Sequence, residues 1–163
     1  MKKQLSQQAQ VAKLIRQDLK ARGIPARVTS ESYSMGNNVN VAVTDIDPKT
    51  FEELEKAYAK YQYGHFDGMT DMYEYSNSRD DIPQTKYLFV RNEISDEMKQ
   101  RIWDFLRGKF TGNFGEMPAS YEEARNLRDG GFEAYVSDIV YRYFRGAYQY
   151  GDFWEQGDVK DAA

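Results

Sequence analysis

The segment Gly64-His65-Phe66-Asp67-Gly68-Met69-Thr70-Asp71 contains the single histidine of a 163-residue chain, set between two glycines and close to two carboxylates. An imidazole titrates near neutrality and a neighbouring acid can orient it, so His65 with Asp67 is a pair suited to general acid/base work. Catalysis normally asks for a nucleophile, an oxyanion donor or a metal as well. The chain has no cysteine, which removes a thiolate nucleophile, a disulfide framework and the thiolate sites of zinc or iron–sulfur clusters. With one histidine, a metal site would consist mostly of carboxylates, and these acids lack the Asp-x-Asp-x-Asp-Gly spacing of a calcium loop. The run Ser34-Met35-Gly36-Asn37-Asn38 lacks the second glycine and the Lys-Ser/Thr pair of a phosphate-binding loop, so turn chemistry accounts for it. Gly-x-Ser-x-Gly, His-Glu-x-x-His and Gly-x-Gly-x-x-Gly are all absent. These residues point to a non-enzymatic protein without metal or cofactor. The segment Gly64–Asp71 reads first as a structural turn, second as a ligand-contacting loop and last as a catalytic one.

Charge points to binding instead. Asp67, Asp71, Glu74, Asp80 and Asp81 fall within 15 residues, opposed only by Arg79 and interleaved with Phe66, Tyr73 and Tyr75. Carboxylates beside aromatic anchors suit a basic, nucleic-acid-handling protein partner, although a solvated loop has the same composition. A second candidate contact is the tail, where Asp152, Phe153, Trp154 and Glu155 stand together. The net charge of −4 conceals an asymmetry: residues 1–28 carry +6, leaving −10 for the rest. Lys13, Arg16, Lys20 and Arg27, extended by Lys2 and Lys3, could neutralise phosphates, which makes direct nucleic-acid binding the alternative function. A wet helix face would carry the same cations.

The elements that position these residues follow from periodicity. Val11, Ala12, Leu14, Ile15 and Leu19 share one side of a helix whose other side is Lys13, Arg16 and Lys20; Gly23 and Pro25 end it. Residues 26–32 and 38–44 alternate as two strands around a loop rich in residues that tolerate positive φ. Asp47 and Pro48 open a second helix through Tyr61. Residues 69–75 and 85–91 read as a second strand pair joined by 77–83. Ser95 caps a third helix with Asp96 and Glu97 in its first turn, ending near Gly108. A short helix over 121–127 precedes a strongly amphipathic one through Phe132, Tyr135, Val136, Ile139, Val140, Tyr143 and Phe144.

The order αββαββαα predicts an α+β fold: a single antiparallel sheet of about four strands with helices packed on it. One domain spans residues 1–150, with a module over 10–110, a helical extension over 111–150 and an acidic, aromatic tail over 151–163. The polar start MKKQLSQQAQ is unlike a signal peptide and no run of about 18 apolar residues occurs, which predicts a cytoplasmic protein with no membrane partner.

Four stretches carry a family resemblance: KLIRQDLK (13–20), SYSMGNNVNVAVTD (32–45), GHFDGMTDMYEYSN (64–77) and TKYLFVRNEIS (85–95). Together they resemble a large polyvalent protein-associated domain of phages, plasmids and integrated mobile elements, over residues 10–110. The most specific feature is the Ser-Tyr-Ser hairpin followed by the Gly-x-Phe-Asp-Gly-Met-x-Asp loop. The resemblance implies an α+β module with no catalytic residues to carry over. It favours an accessory, anti-defence role of the anti-CRISPR or antirestriction type, acting on a host complex that handles nucleic acid.

Overall fold

A computed structural model describes residues 3–109, 117–129, 134–146 and 153–155. The chain divides into two compact units, residues 1–46 with 50–93 and residues 47–49 with 94–163.

The first unit opens with helix α1 (Gln7–Ala21), which buries Val11, Ala12, Ile15 and Leu19 and leaves Lys13, Arg16 and Lys20 in water. Gly23, at φ 71°, supplies the left-handed conformation that stops it. Strands β1 (Ala26–Tyr33) and β2 (Gly36–Thr44) form an antiparallel hairpin closed by Ser34 and Met35, tighter than the longer loop expected. Helix α2 (Pro48–Tyr58) then buries Leu54 and Tyr58 and passes into a 3-10 turn, Ala59–Tyr61. Two short strands follow, β3 (His65–Asp67) and β4 (Met72–Glu74), and then β5 (Tyr87–Glu93).

The fold is α+β, but the single four-stranded antiparallel sheet is corrected. The main sheet has three strands in the order β1-β2-β5, and β5 lies parallel to β2. The stretch 69–75 does not pair with 85–91: β4 turns back onto β3 as a separate ribbon. The reason is connectivity. A crossover long enough to hold a helix separates β2 from β5, and α2 occupies it, which is the arrangement that returns a strand in parallel.

One face of the main sheet carries Val28, Val39, Val41, Val43, Leu88 and Val90 into a core with α1 and α2. Register places Arg27, Thr29, Asn38, Asn40, Tyr87, Phe89 and Arg91 on the opposite face. Asn92 secures the end of β5 by accepting from the Ile46 N–H (3.1 Å) and donating to the Ile46 carbonyl (2.6 Å).

The Tyr58 hydroxyl joins α2 to α1 by donating to Asp18 Oδ2 at 2.6 Å, and Arg22 Nε donates to the same oxygen at 2.7 Å. Burial pushes the Asp18 carboxyl up, but the hydrogen bonds from Tyr58 and Arg22 outweigh it and hold the group below its ordinary value. Tyr58→Phe is expected to cost about 1.5 kcal/mol at neutral pH, the scale of a hydrogen bond to a charged acceptor. A depressed carboxyl stabilises above its unfolded value and loses that contribution as pH falls through its folded one, so the cost should shrink in acid. Urea melts of both proteins near neutrality and in acid check the difference.

The second unit contains α3 (Asp96–Leu106), α4 (Tyr121–Ala124), the two-residue strands β6 (Arg128–Asp129) and β7 (Ala134–Tyr135), and α5 (Val136–Phe144). Ser95 caps α3 by accepting from the Met98 N–H at 3.1 Å. Met98, Ile102, Trp103 and Leu106 of α3 meet Val136, Ile139, Val140, Tyr143 and Phe144 of α5 in its core. Phe132, expected to begin the last helix, lies outside the described residues.

Candidate functional site

The segment singled out from its chemistry is the β3–β4 ribbon. His65 faces Glu74, Phe66 faces Tyr73 and Asp67 faces Met72. Asp67 spends both carboxylate oxygens on the turn, accepting from the Met69 N–H and from the Thr70 hydroxyl, each at 2.9 Å. Those bonds, the Met69 amide first, hold its carboxyl below the ordinary range. His65 is therefore not oriented by Asp67. Its Nδ1 lies 3.1 Å from Ser76 Oγ and its Nε2 3.4 Å from Glu74, on an exposed surface. No group of three or more metal-ligating side chains occurs among the described residues.

The ribbon is fixed to the main sheet by rings. Tyr63 stacks on Tyr75 (5.6 Å, 7°), Tyr73 meets both edge-on, and Tyr73 then meets Tyr87, which stacks on Phe89 (6.1 Å, 9°). The Lys86 ammonium sits 5.1 Å from the Tyr73 centroid and 5.6 Å from that of Tyr87. The Tyr73 hydroxyl donates to the Lys86 carbonyl at 2.7 Å. Burial first, and the neighbouring tyrosines next, push Tyr73 up to about 12.

Side-chain amides hold the base. Gln62 donates to the Gly64 carbonyl (2.6 Å) while its oxygen accepts from the Leu88 N–H (2.8 Å). Gln84, 6% exposed, donates to the Lys60 and Asn77 carbonyls and accepts from the Arg79 N–H, which pins the loop carrying Asp80 and Asp81.

What this scaffold presents is apolar and acidic. Phe66 is 52% exposed, Met72 64% and Met69 96%. Asp71 takes the left-handed conformation, φ 54°, at the turn, as aspartate does more readily than most residues. Of the five acids, Asp67 is committed to the turn and Asp81 to a two-pronged pair with Arg79, at 2.9 and 2.5 Å. Arg79 in turn lowers the Asp81 carboxyl. Asp71 and Asp80 have no ion pair among the described residues, and Glu74 has only His65. The outward acid surface thus reduces to Asp71, Glu74 and Asp80.

The other sequence candidates are placed differently. Phe153 is 4% exposed and meets Phe105 and Trp154 edge-on in the second core, while Trp154 Nε1 donates to the Phe144 carbonyl at 3.2 Å. Of the tail, Glu155 is exposed and Asp152 lies outside the described residues. The basic group divides: Lys13, Arg16 and Lys20 share the exposed side of α1, and Arg27 lies apart from them. Arg16 donates to the Val28 carbonyl (2.7 Å), and Arg27 sits 3.4 Å from Glu93 on the sheet face that α1 does not cover. Sequence reasoning missed β3, the amide scaffold and the run of rings; the alternation of Tyr73 and Tyr75 was the signal for the last.

No helix among the described residues is long and apolar enough to cross a membrane. No curated protein and no solved structure matches the chain. The model of one family, large polyvalent protein associated domain 29, matches residues 6–101, more than half of the chain and the whole of the ribbon. The chain therefore belongs to the large polyvalent protein associated domain 29 family and is a protein associated with phages and mobile elements.

Proposed function

We propose that the chain is a non-enzymatic accessory protein that binds and inhibits a host complex handling nucleic acid in defence, of the anti-CRISPR or antirestriction type. The contact is the outer surface of the β3–β4 ribbon with the loop after it. The observation that carries this reading is the exposure of Phe66, Met69 and Met72 beside Asp71 and Glu74. Water-exposed methionine and phenylalanine next to acids suit a protein partner whose surface is apolar at its centre and basic at its rim. The rings and amides behind the ribbon hold it in place before binding, which limits the ordering cost of association.

The family supports a mobile-element setting, and Arg27 lies on the sheet face that α1 does not cover, which leaves Lys13, Arg16 and Lys20 as the basic stripe that a nucleic-acid reading would use. Capture on immobilised protein from a bacterial host lysate, with and without nuclease, tests the reading. A host protein complex retained after nuclease supports it. Nucleic acid alone, released as salt rises, would move the function to Lys13, Arg16 and Lys20.

A further inference from the structure

The outer edge of β5 offers a second binding surface, independent of the ribbon's tip. Among the described residues β5 pairs only with β2, and that pairing occupies the main-chain groups of alternate residues. Leu88, Val90 and Asn92 therefore direct their N–H and C=O groups away from β2, as the bond from the Leu88 N–H to Gln62 Oε1 shows. Gln62 thus closes one end of the edge. Beyond it, no hydrogen bond among the described residues reaches the outer groups of Val90.

An open groove of about 600 Å³ runs beside this edge. Leu88, Val90, Ala59 and Glu55 line it on the helix-covered side of the sheet, and Phe89 and Arg91 on the uncovered side. Arg91 is exposed and has no ion-pair partner among the described residues. An unpaired strand edge is a template for another strand, and proteins that do not use such an edge commonly block it with a charge, a bulge or a covering element.

We propose that this groove takes an extended peptide segment of a partner protein as an added strand beside β5. Main-chain bonds to Val90 set its register. Side chains of alternate residues would then separate, apolar ones toward Leu88, Val90 and Ala59, and acidic ones toward Arg91. The carboxylates stay clear of Glu55 because that residue lies on the apolar side of the groove.

The probe is a synthetic, end-blocked peptide of alternating valine and aspartate, titrated into isotope-labelled full-length protein and followed by amide NMR. Saturable shifts centred on Leu88, Val90 and Asn92, with slowed exchange of the Val90 amide, are expected. The same peptide methylated on alternate main-chain nitrogens should bind roughly tenfold more weakly or not at all. Arg91→Glu should reverse the preference toward a valine–lysine peptide, and Asp71→Lys should change nothing, which separates this site from the ribbon. Absence of saturable shifts, shifts centred elsewhere, or equal binding of the methylated peptide would overturn the proposal.

Discussion

Gly64→Ala should dislodge the β3–β4 ribbon. A Cβ on Gly64 would stand 1.9 Å from the Glu74 carbonyl oxygen and 2.5 Å from the Tyr73 ring. The oxygen is main chain and cannot swing aside, so strand β4 has to move. Overpacking typically costs ~1–3 kcal/mol, and contact with backbone places this substitution at the top of that range or above it. The loss should appear as a lower unfolding midpoint together with a collapse of the tyrosine near-UV circular dichroism, since Tyr63, Tyr73, Tyr75 and Tyr87 meet there. Gly68→Ala is the control. That position has nothing within 4 Å of its Cβ and lies in the same ribbon, so near-native spectra are expected.

Trp103→Ala should be as damaging in the second unit. Trp103 is fully buried, and its Nε1 donates to the Pro118 carbonyl at 2.8 Å. Removing the ring takes away core area and leaves that carbonyl without its donor, and Trp→Ala changes in cores cost ~3–5 kcal/mol. Trp103→Phe keeps most of the volume but loses the donor, so it should fall between the two. Denaturant melts of the three proteins, followed by far-UV circular dichroism, give the order.

Where one element settles its own structure, the sequence was sufficient. The 3.6-residue spacing of Val11, Ile15 and Leu19 fixes the buried side of α1, Gly23 ends it, and Ser95 caps α3 through its own hydroxyl. The local pairing of β1 with β2 was legible from the turn residues between them, but the pairings of β4 and β5 depend on distant residues and were not. Residues 72–74 have strand chemistry whichever partner they take, and the short strand His65–Asp67 between two glycines carries too little periodicity to declare itself. The presence of α2 between β2 and β5 was the available sign of a parallel return. The same limit applied to the site. Asp67 and Asp71 look alike in the sequence, yet one closes a turn and the other faces water, a distinction set by the Met69 amide and the Thr70 hydroxyl. The aromatic residues 153 and 154 could equally have been contacts or core, and only packing against Phe105 and Phe144 distinguishes these.

The proposed binding function turns on the ribbon's outer surface, so the direct measurement is affinity for the host complex that the nuclease-treated capture retains. It should be compared for the unaltered protein, for a variant with Met69→Ala, Asp71→Asn and Glu74→Lys, in which asparagine keeps the left-handed turn, and for one with Lys13, Arg16 and Lys20 changed to Glu. The ribbon variant is expected to lose at least tenfold in affinity while keeping its melting curve, and the helix variant to bind as before. Undiminished binding by the ribbon variant, with loss in the helix variant, would contradict the account.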